Sequence, residues 1–270
     1  MDKYAVIGNP IAHSKSPEIH AAFASQTGEA LVYDRILGDK QNFAGDVRRF
    51  MAEGGQGLNV TVPFKEEAWR LADELSDRAH TAGAVNTLIR LDNNLLRGDN
   101  TDGVGLVRDL TVNQGFRLAD KRILMLGAGG AVRGVMRPLL EQKPKRIIIA
   151  NRTASKAYAL ASVLTDYGQV AGCGLEELQG MQFDLIINGT AAGLDGEVPA
   201  IPDDALSKGG WCYDMLYSNQ ATPFQNWGKA HQAARSLDGL GMLVEQAAES
   251  FRLWRSILPE TPPVIARLRG

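Results

Sequence analysis

The feature that most constrains the fold is a regular alternation of short apolar runs with stretches of helical periodicity. The runs predict strands at 4–7, 32–37, 58–62, 86–89, 122–126, 146–150, 183–188 and 211–215. Helices are predicted at 41–52, 64–73, 104–112, 131–142 and 154–167, with an earlier one that opens at Ser16-Pro17-Glu18. Strands that alternate with helices of about 10 to 15 residues predict parallel sheets joined by right-handed crossovers.

The strand–helix series starts again near residue 104, so the chain is expected to form two lobes with a cleft between them. A long amphipathic helix follows the second series, and no strand comes after it. Its apolar stripe consists of Leu240, Leu243, Val244, Ala247, Phe251, Trp254 and Leu258, and its length is limited by Pro259, Pro262 and Pro263. Because such a helix must bury its apolar face, it is expected to pack on a lobe that is already formed.

The composition excludes several classes of protein. The 270 residues carry 29 Lys and Arg against 31 Asp and Glu, so there is no positive excess for nucleic acid or an anionic membrane surface. No apolar run approaches the ~20 residues that span a bilayer, and the start, Met1-Asp2-Lys3-Tyr4, lacks a signal-peptide pattern. Two cysteines and four scattered histidines predict neither a disulfide framework nor a metal site. We therefore expect a cytoplasmic protein without a nucleic-acid, membrane or metal partner.

A glycine-rich turn, Gly127-Ala128-Gly129-Gly130-Ala131, follows the strand predicted at 122–126 and opens a helix. Glycine permits the sharp turn and lets backbone N–H groups approach a pyrophosphate, and the helix N-terminus adds a favourable dipole. The next residue, Val132, stands where Gly or Ala is usual, and its larger side chain is expected to push helix and strand apart. The context predicts a dinucleotide site, and the alternative is a tight turn without a ligand.

The residues after the next predicted strand indicate which dinucleotide. An NAD enzyme has Asp or Glu near this position to bind the ribose 2′-hydroxyl. This chain has Asn151, Arg152, Thr153 and, one turn further, Lys156. A guanidinium, an ammonium and hydroxyl donors suit a 2′-phosphate, so the sequence favours NADP over NAD. The alternative is a pair of solvated cations near a helix start.

Two hydroxyls, Ser14 and Ser16, lie at the start of the first predicted helix. A helix N-terminus has backbone N–H groups without intrahelical partners, so this position suits a substrate carboxylate. The simpler interpretation is that Ser16 is the N-cap of the helix.

A lysine and a carboxylate are further candidates in the first lobe. Lys65 follows a strand on which Asn59 and Thr61 share one face, at the carboxyl end where ligand clefts of α/β sheets form. The alternative is an exposed surface lysine. Asp102, which precedes Gly103, is either a turn residue or the carboxylate partner of Lys65, and the spacing does not decide between them.

The segments that carry a family resemblance are, in chain order, Gly8-Asn9-Pro10, Ser14-Lys15-Ser16-Pro17, Asn59-Val60-Thr61-Val62-Pro63-Phe64-Lys65, Ala84-Val85-Asn86-Thr87, Gly98-Asp99-Asn100-Thr101-Asp102-Gly103, 127–131, Asn151-Arg152-Thr153, Tyr213-Asp214-Met215 and Asp238-Gly239-Leu240-Gly241-Met242-Leu243. Together they resemble the shikimate dehydrogenase family, NADP-dependent enzymes of the aromatic amino-acid route. The resemblance implies an α/β fold with two domains. An N-terminal α/β substrate-binding domain, residues 1–103, would be completed by the C-terminal helix in residues 240–270. A Rossmann-like NADP-binding domain would comprise residues 104–239.

The resemblance also implies roles for single residues. The substrate carboxylate would be held by Ser14, Ser16 and Tyr217. The ring hydroxyls would be surrounded by Thr61, Lys65, Asn86, Asp102 and Gln246. NADP would be bound by Gly127, Ala128, Gly129, Gly130, Ala131, Asn151, Arg152, Thr153, Ala154, Ser155 and Lys156, with Met215 and Gly239 near the nicotinamide and Asp77 at a further cofactor position.

The expected reaction is the reversible NADPH-dependent reduction of 3-dehydroshikimate to shikimate in chorismate and aromatic amino-acid biosynthesis, by a monomer or homodimer. Reducing a ketone requires a hydride, which the cofactor supplies, and a proton. Lys65 is expected to serve the proton at the C3 oxygen, with Asp102 orienting and supporting it. The alternative is that Lys65 chiefly positions the substrate.

One segment departs from the family pattern: residues 188–193 read Asn-Gly-Thr-Ala-Ala-Gly, where the family usually reads Asn-Ala-Thr-Ser-Ser-Gly. Hydroxyl groups that the loop would use for hydrogen bonds are therefore lost.

Other functions remain as alternatives. A quinate/shikimate dehydrogenase would more often use NAD, with an acidic residue after the second cofactor strand. A non-catalytic NADP sensor would not need both Lys65 and Asp102, and a structural protein would not explain the ordered polar residues.

Overall fold

The computed structural model describes residues 1–270, which form two compact units. The first unit consists of Met1–Gly105 and Leu243–Gly270, and the second of Leu106–Met242. The chain therefore leaves the first unit once and returns to it. The prediction that the C-terminal helix completes the first α/β lobe is confirmed.

Strands and helices alternate through most of the chain. The strands are β1 (Asp2–Gly8), β2 (Leu31–Leu37), β3 (Gly55–Val60), β4 (Glu74–Leu75), β5 (Thr87–Arg90), β6 (Leu96–Asp99), β7 (Arg122–Leu126), β8 (Arg146–Ala150), β9 (Val170–Cys173), β10 (Phe183–Asn188), β11 (Leu206–Asp214) and β12 (Arg235–Leu237). The helices are α1 (Ser16–Thr27), α2 (Phe43–Ala52), α3 (Lys65–Leu71), α4 (Asp77–Ala82), α5 (Asp102–Arg108), α6 (Gly130–Glu141), α7 (Ala154–Ser162), α8 (Pro223–Ala230), α9 (Leu240–Arg255) and α10 (Pro262–Arg269). None of the helices combines the length and the apolar character needed to cross a bilayer.

The first unit contains a six-stranded sheet in the order β2-β1-β3-β5-β6-β4. Strand β1 is parallel to β2 and β3, whereas β5 is antiparallel to both β3 and β6. The prediction of a purely parallel sheet is therefore wrong for this unit. The connection between β5 and β6, residues 91–95, is too short for a crossover helix and can only join antiparallel strands.

The start of α1 differs from the prediction. Ser16 is the first helical residue and not the N-cap, because the preceding residue, Lys15, already has a right-handed backbone (φ −84°, ψ −3°). The N-cap residue, Lys15, makes no capping hydrogen bond with its side chain. The Ser16 hydroxyl instead accepts a hydrogen bond from the Ser14 hydroxyl at 3.1 Å, and the Ser16 N–H donates to Ser14 Oγ at 3.3 Å. These two bonds hold the turn against the helix start.

The apolar face of α9 packs against α1 and α10. The buried residues of this cluster are Ile19, Phe23, Val244, Ala247, Ala248, Phe251 and Val264. The helix ends at Arg255, so the predicted stripe is too long by one member: Leu258 lies beyond the helix and is 45% exposed. Pro262 lies beyond the end of α9 and begins the next helix, since proline is well tolerated in a first helical turn.

The second unit contains a fully parallel six-stranded sheet in the order β12-β11-β10-β7-β8-β9. Counted within the unit, this is the 3-2-1-4-5-6 order of dinucleotide-binding folds, read from the opposite edge. Side chains alternate along β7, with Ile123 and Met125 in one buried cluster and Leu124 and Leu126 in another. Because both faces of the sheet are covered, β7, β8 and β10 are mostly apolar, whereas β11 and β12 also contain polar and charged residues. The prediction of a Rossmann-like lobe is confirmed.

Two helices predicted in the second lobe are shorter than expected. Helix α5 continues only as a π-helical turn, Asp109–Asn113, in which the buried Asp109 carboxylate accepts a hydrogen bond from the Tyr213 hydroxyl at 2.7 Å. Helix α7 ends at Ser162 and is followed by a separate 3₁₀ turn, Thr165–Tyr167.

Candidate active site

Lys65 and Asp102 form an ion pair in the first unit. The Lys65 Nζ atom donates to Asp102 Oδ2 at 2.5 Å, and the two side chains are 15% and 7% exposed. Each residue is the first of its helix, α3 and α5, which follow β3 and β6 in the chain. The Lys65 carbonyl accepts a hydrogen bond from the Val85 N–H at 2.9 Å, which ties α3 to the segment before β5. The structure therefore brings together the two residues for which the sequence left surface and turn roles open.

Asn86 connects this pair to α9. Its Nδ2 donates to Asp102 Oδ1 at 2.9 Å and to Gln246 Oε1 at 3.1 Å. Its Oδ1 accepts the Thr101 N–H at 2.8 Å. Because a backbone N–H can only donate, the orientation of the Asn86 amide is fixed with the NH₂ group toward Asp102 and Gln246. Four of the predicted substrate residues, Lys65, Asp102, Asn86 and Gln246, thus form one hydrogen-bonded group.

The candidate carboxylate-binding serines form a second polar group in this unit. Ser16 is buried and Ser14 is half-buried. The Ser14 carbonyl accepts two hydrogen bonds from the Arg35 guanidinium, at 3.0 Å from Nε and 2.6 Å from Nη2. Thr61 is half-buried and directly follows β3, which ends at Val60 and not at residue 62 as predicted.

Two predicted site residues belong to a different unit from the residues with which the sequence grouped them. Tyr217 is half-buried and lies after β11 in the second unit, whereas Ser14 and Ser16 are in the first. Asp77 is an exposed residue that begins α4 in the first unit, whereas the glycine-rich turn is in the second. The roles assigned to Tyr217 and Asp77 therefore remain predictions.

The glycine-rich turn joins β7 to α6 at the point where the strand order of the second sheet reverses. Gly127 has φ +104°, and a Cβ there would lie 3.2 Å from the Gly189 carbonyl oxygen, so a side chain would be strained. No atom lies within 4 Å of a Cβ placed on Gly129 or Gly130, so the space beside this backbone is open. No side chain caps α6, which leaves its first N–H groups available to an anion. The turn fits a dinucleotide pyrophosphate.

The residues after β8 provide cations and hydroxyls at the start of α7. Arg152, Thr153, Ser155 and Lys156 are exposed, and Ala154 is the first residue of the helix. Asn151 folds back on this turn, with its Nδ2 donating to the Thr153 carbonyl at 2.9 Å. No acidic side chain follows β8 before α7. This donor set fits a 2′-phosphate better than a free ribose hydroxyl.

Met215 and Gly239 are neighbours in the second unit. A Cβ on Gly239 would lie 2.3 Å from the Met215 carbonyl oxygen, so only glycine fits there. The Met215 N–H donates to the Asn188 carbonyl at 2.9 Å. The adjacent Asp214 accepts hydrogen bonds from Thr222 Oγ1 at 2.6 Å and Asn188 Nδ2 at 3.1 Å, and its burial raises the pKa of its carboxyl group. In the loop that follows β10, Thr190 keeps a hydroxyl bond to Asn188 Oδ1 at 2.7 Å.

The sequence analysis named Asn59 on the polar face of its strand but did not predict the buried polar cluster behind Asn86 to which it belongs. The cluster consists of Tyr33, Asn59, Thr87, Thr101 and Ser250, all less than one-tenth exposed. Tyr33 donates to Asn59 Oδ1 at 2.6 Å, and Asn59 Nδ2 donates to Ser250 Oγ at 3.0 Å. Burial raises the pKa of Tyr33 well above its ordinary value, so its hydroxyl keeps its proton. Ser250 follows Gln246 by one helical turn, which is the sequence signal that could have found it.

A Rossmann-type unit and a second unit that contains a lysine–carboxylate ion pair define the class of a two-domain, dinucleotide-dependent dehydrogenase. Three family models match the chain: shikimate dehydrogenase substrate binding domain at residues 6–88, shikimate / quinate 5-dehydrogenase at 110–195, and shikimate 5'-dehydrogenase C-terminal domain at 239–269. The chain belongs to the shikimate dehydrogenase family.

Individual relatives agree with this assignment. Shikimate dehydrogenase (NADP(+)) of Alkalilimnicola ehrlichii is 58% identical over 268 residues, covering 99% of this chain and 98% of the relative. Among solved structures, an Ael1 enzyme from Pseudomonas putida is 42% identical with a TM-score of 0.93, covering 100% of this chain and 99% of that one. Shikimate 5-dehydrogenase from Thermus thermophilus, in complex with NADP(H) and shikimate, is 32% identical with a TM-score of 0.87, covering 100% of both chains.

Proposed function

We propose that this protein catalyses the reversible NADPH-dependent reduction of 3-dehydroshikimate to shikimate in aromatic amino-acid biosynthesis through chorismate. The observation that carries the proposal is the ion pair between Lys65 and the buried Asp102, held by Asn86 and Gln246 within one hydrogen-bonded group. A lysine that served only as a solvated surface residue would not be paired at 2.5 Å with a buried carboxylate. The 58% sequence identity to a shikimate dehydrogenase (NADP(+)) supports the same reaction.

The substrate residues divide by chemistry. Hydroxyl groups at the start of α1, Ser14 and Ser16, suit the substrate carboxylate, and we propose that Tyr217 adds a third donor. Amide and carboxylate groups suit ring hydroxyls, which both donate and accept hydrogen bonds. We assign these contacts to Asn86, Asp102, Gln246, Lys65 and Thr61.

Lys65 is proposed to move the proton at the C3 oxygen. When bound, NADPH supplies the hydride to the carbonyl carbon. The charge that develops on the carbonyl oxygen needs a proton, and the Lys65 ammonium group carries protons at Nζ. Asp102 orients Nζ through the 2.5 Å bond, while its second oxygen is occupied by Asn86. In the oxidation direction, the same nitrogen takes the proton from the C3 hydroxyl in its neutral amine form, which is the form left after it donates in the reduction.

The cofactor is proposed to bind along the second unit. Backbone N–H groups of residues 127–131 suit the pyrophosphate, and residues 151–156 suit the 2′-phosphate, with Arg152 and Lys156 as the charged donors. We propose that Met215 and Gly239 border the nicotinamide and that Asp77 contributes at a further cofactor position. The absence of an acidic residue after β8 favours NADP over NAD.

We further propose that the protein works in the cytoplasm, as a monomer or homodimer. Its two cysteines, Cys173 and Cys212, are buried free thiols. Burial raises the pKa of Cys173 to about 11 and the pKa of Cys212 to about 12, so neither is a reactive thiolate. Free thiols of this kind suit a reducing compartment.

The test is an absorbance assay of NADPH or NADH formation with purified protein. Shikimate and quinate are each supplied with NADP⁺ and with NAD⁺. The expected result is the highest kcat/KM with shikimate and NADP⁺. No turnover of shikimate with NADP⁺ would overturn the proposal, and a preference for quinate with NAD⁺ would identify a quinate/shikimate dehydrogenase.

A further inference from the structure

Ser250 is a fully buried hydroxyl where α9 faces the polar ends of three other segments. Its Oγ donates to the Gln246 carbonyl at 3.0 Å and accepts from Asn59 Nδ2 at 3.0 Å. It also lies 2.8 Å from Thr87 Oγ1 and 3.2 Å from Thr101 Oγ1. The side chain therefore contacts β3, β5 and the turn after β6 in addition to its own helix.

The number of hydroxyl protons limits which of these groups can donate hydrogen bonds and which must accept them. A serine has one proton, and the Gln246 carbonyl can only accept it. When Ser250 donates there, its Oγ accepts from Asn59 Nδ2 and from one threonine hydroxyl. Thr87 Oγ1 lies 2.9 Å, and Thr101 Oγ1 3.2 Å, from Asn86 Oδ1. The Thr87 hydroxyl then donates to Ser250 Oγ or to Asn86 Oδ1, and the Thr101 hydroxyl donates to one of these two atoms or to Gln246 Oε1.

Thr87 and Thr101 connect Ser250 through Asn86 to the Lys65–Asp102 pair. The hydroxyls of Thr87 and Thr101, together with the Thr101 N–H, hold Asn86 Oδ1. The same Asn86 amide donates to Asp102, the partner of Lys65. Thr101 Oγ1 also lies 3.4 Å from Gln246 Oε1.

We propose that Ser250 is a positioning residue for the dehydrogenase reaction. It fixes the Thr87 and Thr101 hydroxyls, which orient the Asn86 amide and, through it, the Asp102 carboxylate. This inference rests on the proposed function, because it assumes that Asn86 and Asp102 act on shikimate. A serine that only satisfied its own hydroxyl would need no contact beyond the Gln246 carbonyl on its own helix. The three additional contacts, on three other segments, distinguish Ser250 from that case.

The test compares Ser250→Ala with a control variant that deletes another buried hydroxyl bonded to α9. The control is Thr261→Val: Thr261 is buried, and its hydroxyl donates to Glu245 Oε1 of α9 at 2.5 Å, but it contacts none of the residues above. Both variants delete one buried hydroxyl that anchors α9. Melting temperatures are measured first, and steady-state kinetics are then measured at a temperature at which both variants are folded.

The expected result is a fall in kcat/KM for shikimate on the order of tenfold in Ser250→Ala, since small displacements of reacting groups have large effects on rate. The KM for NADP⁺ is expected to stay unchanged, and Thr261→Val is expected to match the unmutated protein in both constants. Unchanged shikimate kinetics in Ser250→Ala, or an equal loss in Thr261→Val, would overturn the inference while the unmutated protein still turns over shikimate. If the unmutated protein does not turn over shikimate, the proposed function fails and the inference fails with it.

A second pair of variants tests the same connection from the other side. Thr87→Val keeps the shape of the side chain and removes its hydroxyl, whereas Thr87→Ser keeps the hydroxyl. Thr87→Val is expected to lower kcat/KM for shikimate as Ser250→Ala does, and Thr87→Ser to restore most of it. The double variant Ser250→Ala/Thr87→Val is expected to lose less than the product of the single losses, because both changes break one network. Fully multiplicative losses would contradict the connection.

Discussion

Val132 on α6 occupies the space that a side chain on Gly189 would need. A Cβ atom placed on Gly189, directly after β10, would lie 2.4 Å from Val132 Cγ2, and Val132 itself is fully buried. The chain departs from the family pattern at both positions. Val132 is larger than the usual Gly or Ala, and Gly189 is smaller than the usual Ala. The missing side chain at Gly189 therefore leaves the space that the larger Val132 side chain fills.

This relationship predicts a strong coupling between the two positions. Gly189→Ala overpacks the turn and Val132→Ala leaves a cavity, so each is expected to lower the free energy of unfolding by about 1–3 kcal/mol. The double variant is expected to be more stable than the sum of the single changes by about 0.5–3 kcal/mol, because the new methyl group enters the space that valine vacates. Urea unfolding of all four proteins measures the coupling, and additive effects would show that the two side chains do not compete for space.

Replacing Lys65 should separate proton transfer from binding. If Lys65 Nζ supplies the proton, Lys65→Ala is expected to lower kcat by about 10²–10⁴-fold, the usual effect of losing a general acid–base group. Glu67→Gln is the control, because Glu67 is an exposed residue of the same helix. Steady-state kinetics with shikimate and NADP⁺ decide the matter. A raised KM with an unchanged kcat would mean that Lys65 only positions the substrate.

The second lobe was easier to predict than the first because of its strand chemistry. Strands β7, β8 and β10 lie where the sequence predicts them, since each contains three or more consecutive apolar residues that are buried. Strand β6 was missed because its sequence, Leu96-Arg97-Gly98-Asp99, has no apolar run and is held by pairing with its neighbours. Without β6, the hairpin with β5 and the antiparallel pairing could not be predicted.

In the site, too, the sequence predicts the types of the residues but not which of them lie in contact. Lys65 and Asp102 were both singled out, but they are 37 residues apart, and only the folded unit places one against the other. Ser250 was missed because a small residue on a buried helix face is equally compatible with packing. Its role depends on hydroxyl and amide partners from β3, β5 and the turn after β6, which spacing along one helix does not reveal.

Arg152 should decide between the two nicotinamide cofactors. If its guanidinium binds the 2′-phosphate, Arg152→Ala is expected to lower kcat/KM for NADPH by about 10–100-fold, which corresponds to a lost charge-assisted hydrogen bond. The value for NADH is expected to change little, because NADH has no phosphate at this position. Lys145→Ala, at an exposed position of the same unit, controls for the loss of one positive charge. Equal losses with both cofactors would contradict a 2′-phosphate role.

His20 should make the stability of the first unit depend on pH. It is fully buried, its ring stacks on Tyr33 with centroids 4.2 Å apart, and burial lowers its pKa from 6.5 to about 3. Below pH 6.5, the unfolded chain binds a proton at His20 that the folded chain does not bind. The free energy of unfolding is therefore expected to fall by up to about 1.4 kcal/mol per pH unit as the pH decreases, or about 2 kcal/mol between pH 6.5 and 5.

His20→Phe keeps an aromatic ring in the stack and removes the titrating group. Urea unfolding at pH 7, 6 and 5 is expected to give a shallower loss of stability for this variant than for the unmutated protein. The range stops at pH 5 because the carboxyl groups of the unfolded chain titrate at about pH 4. His13→Gln, at an exposed position, is expected to leave the dependence on pH unchanged. Parallel curves for His20→Phe and the unmutated protein would mean that His20 is protonated equally in both states, which its complete burial among aromatic rings opposes.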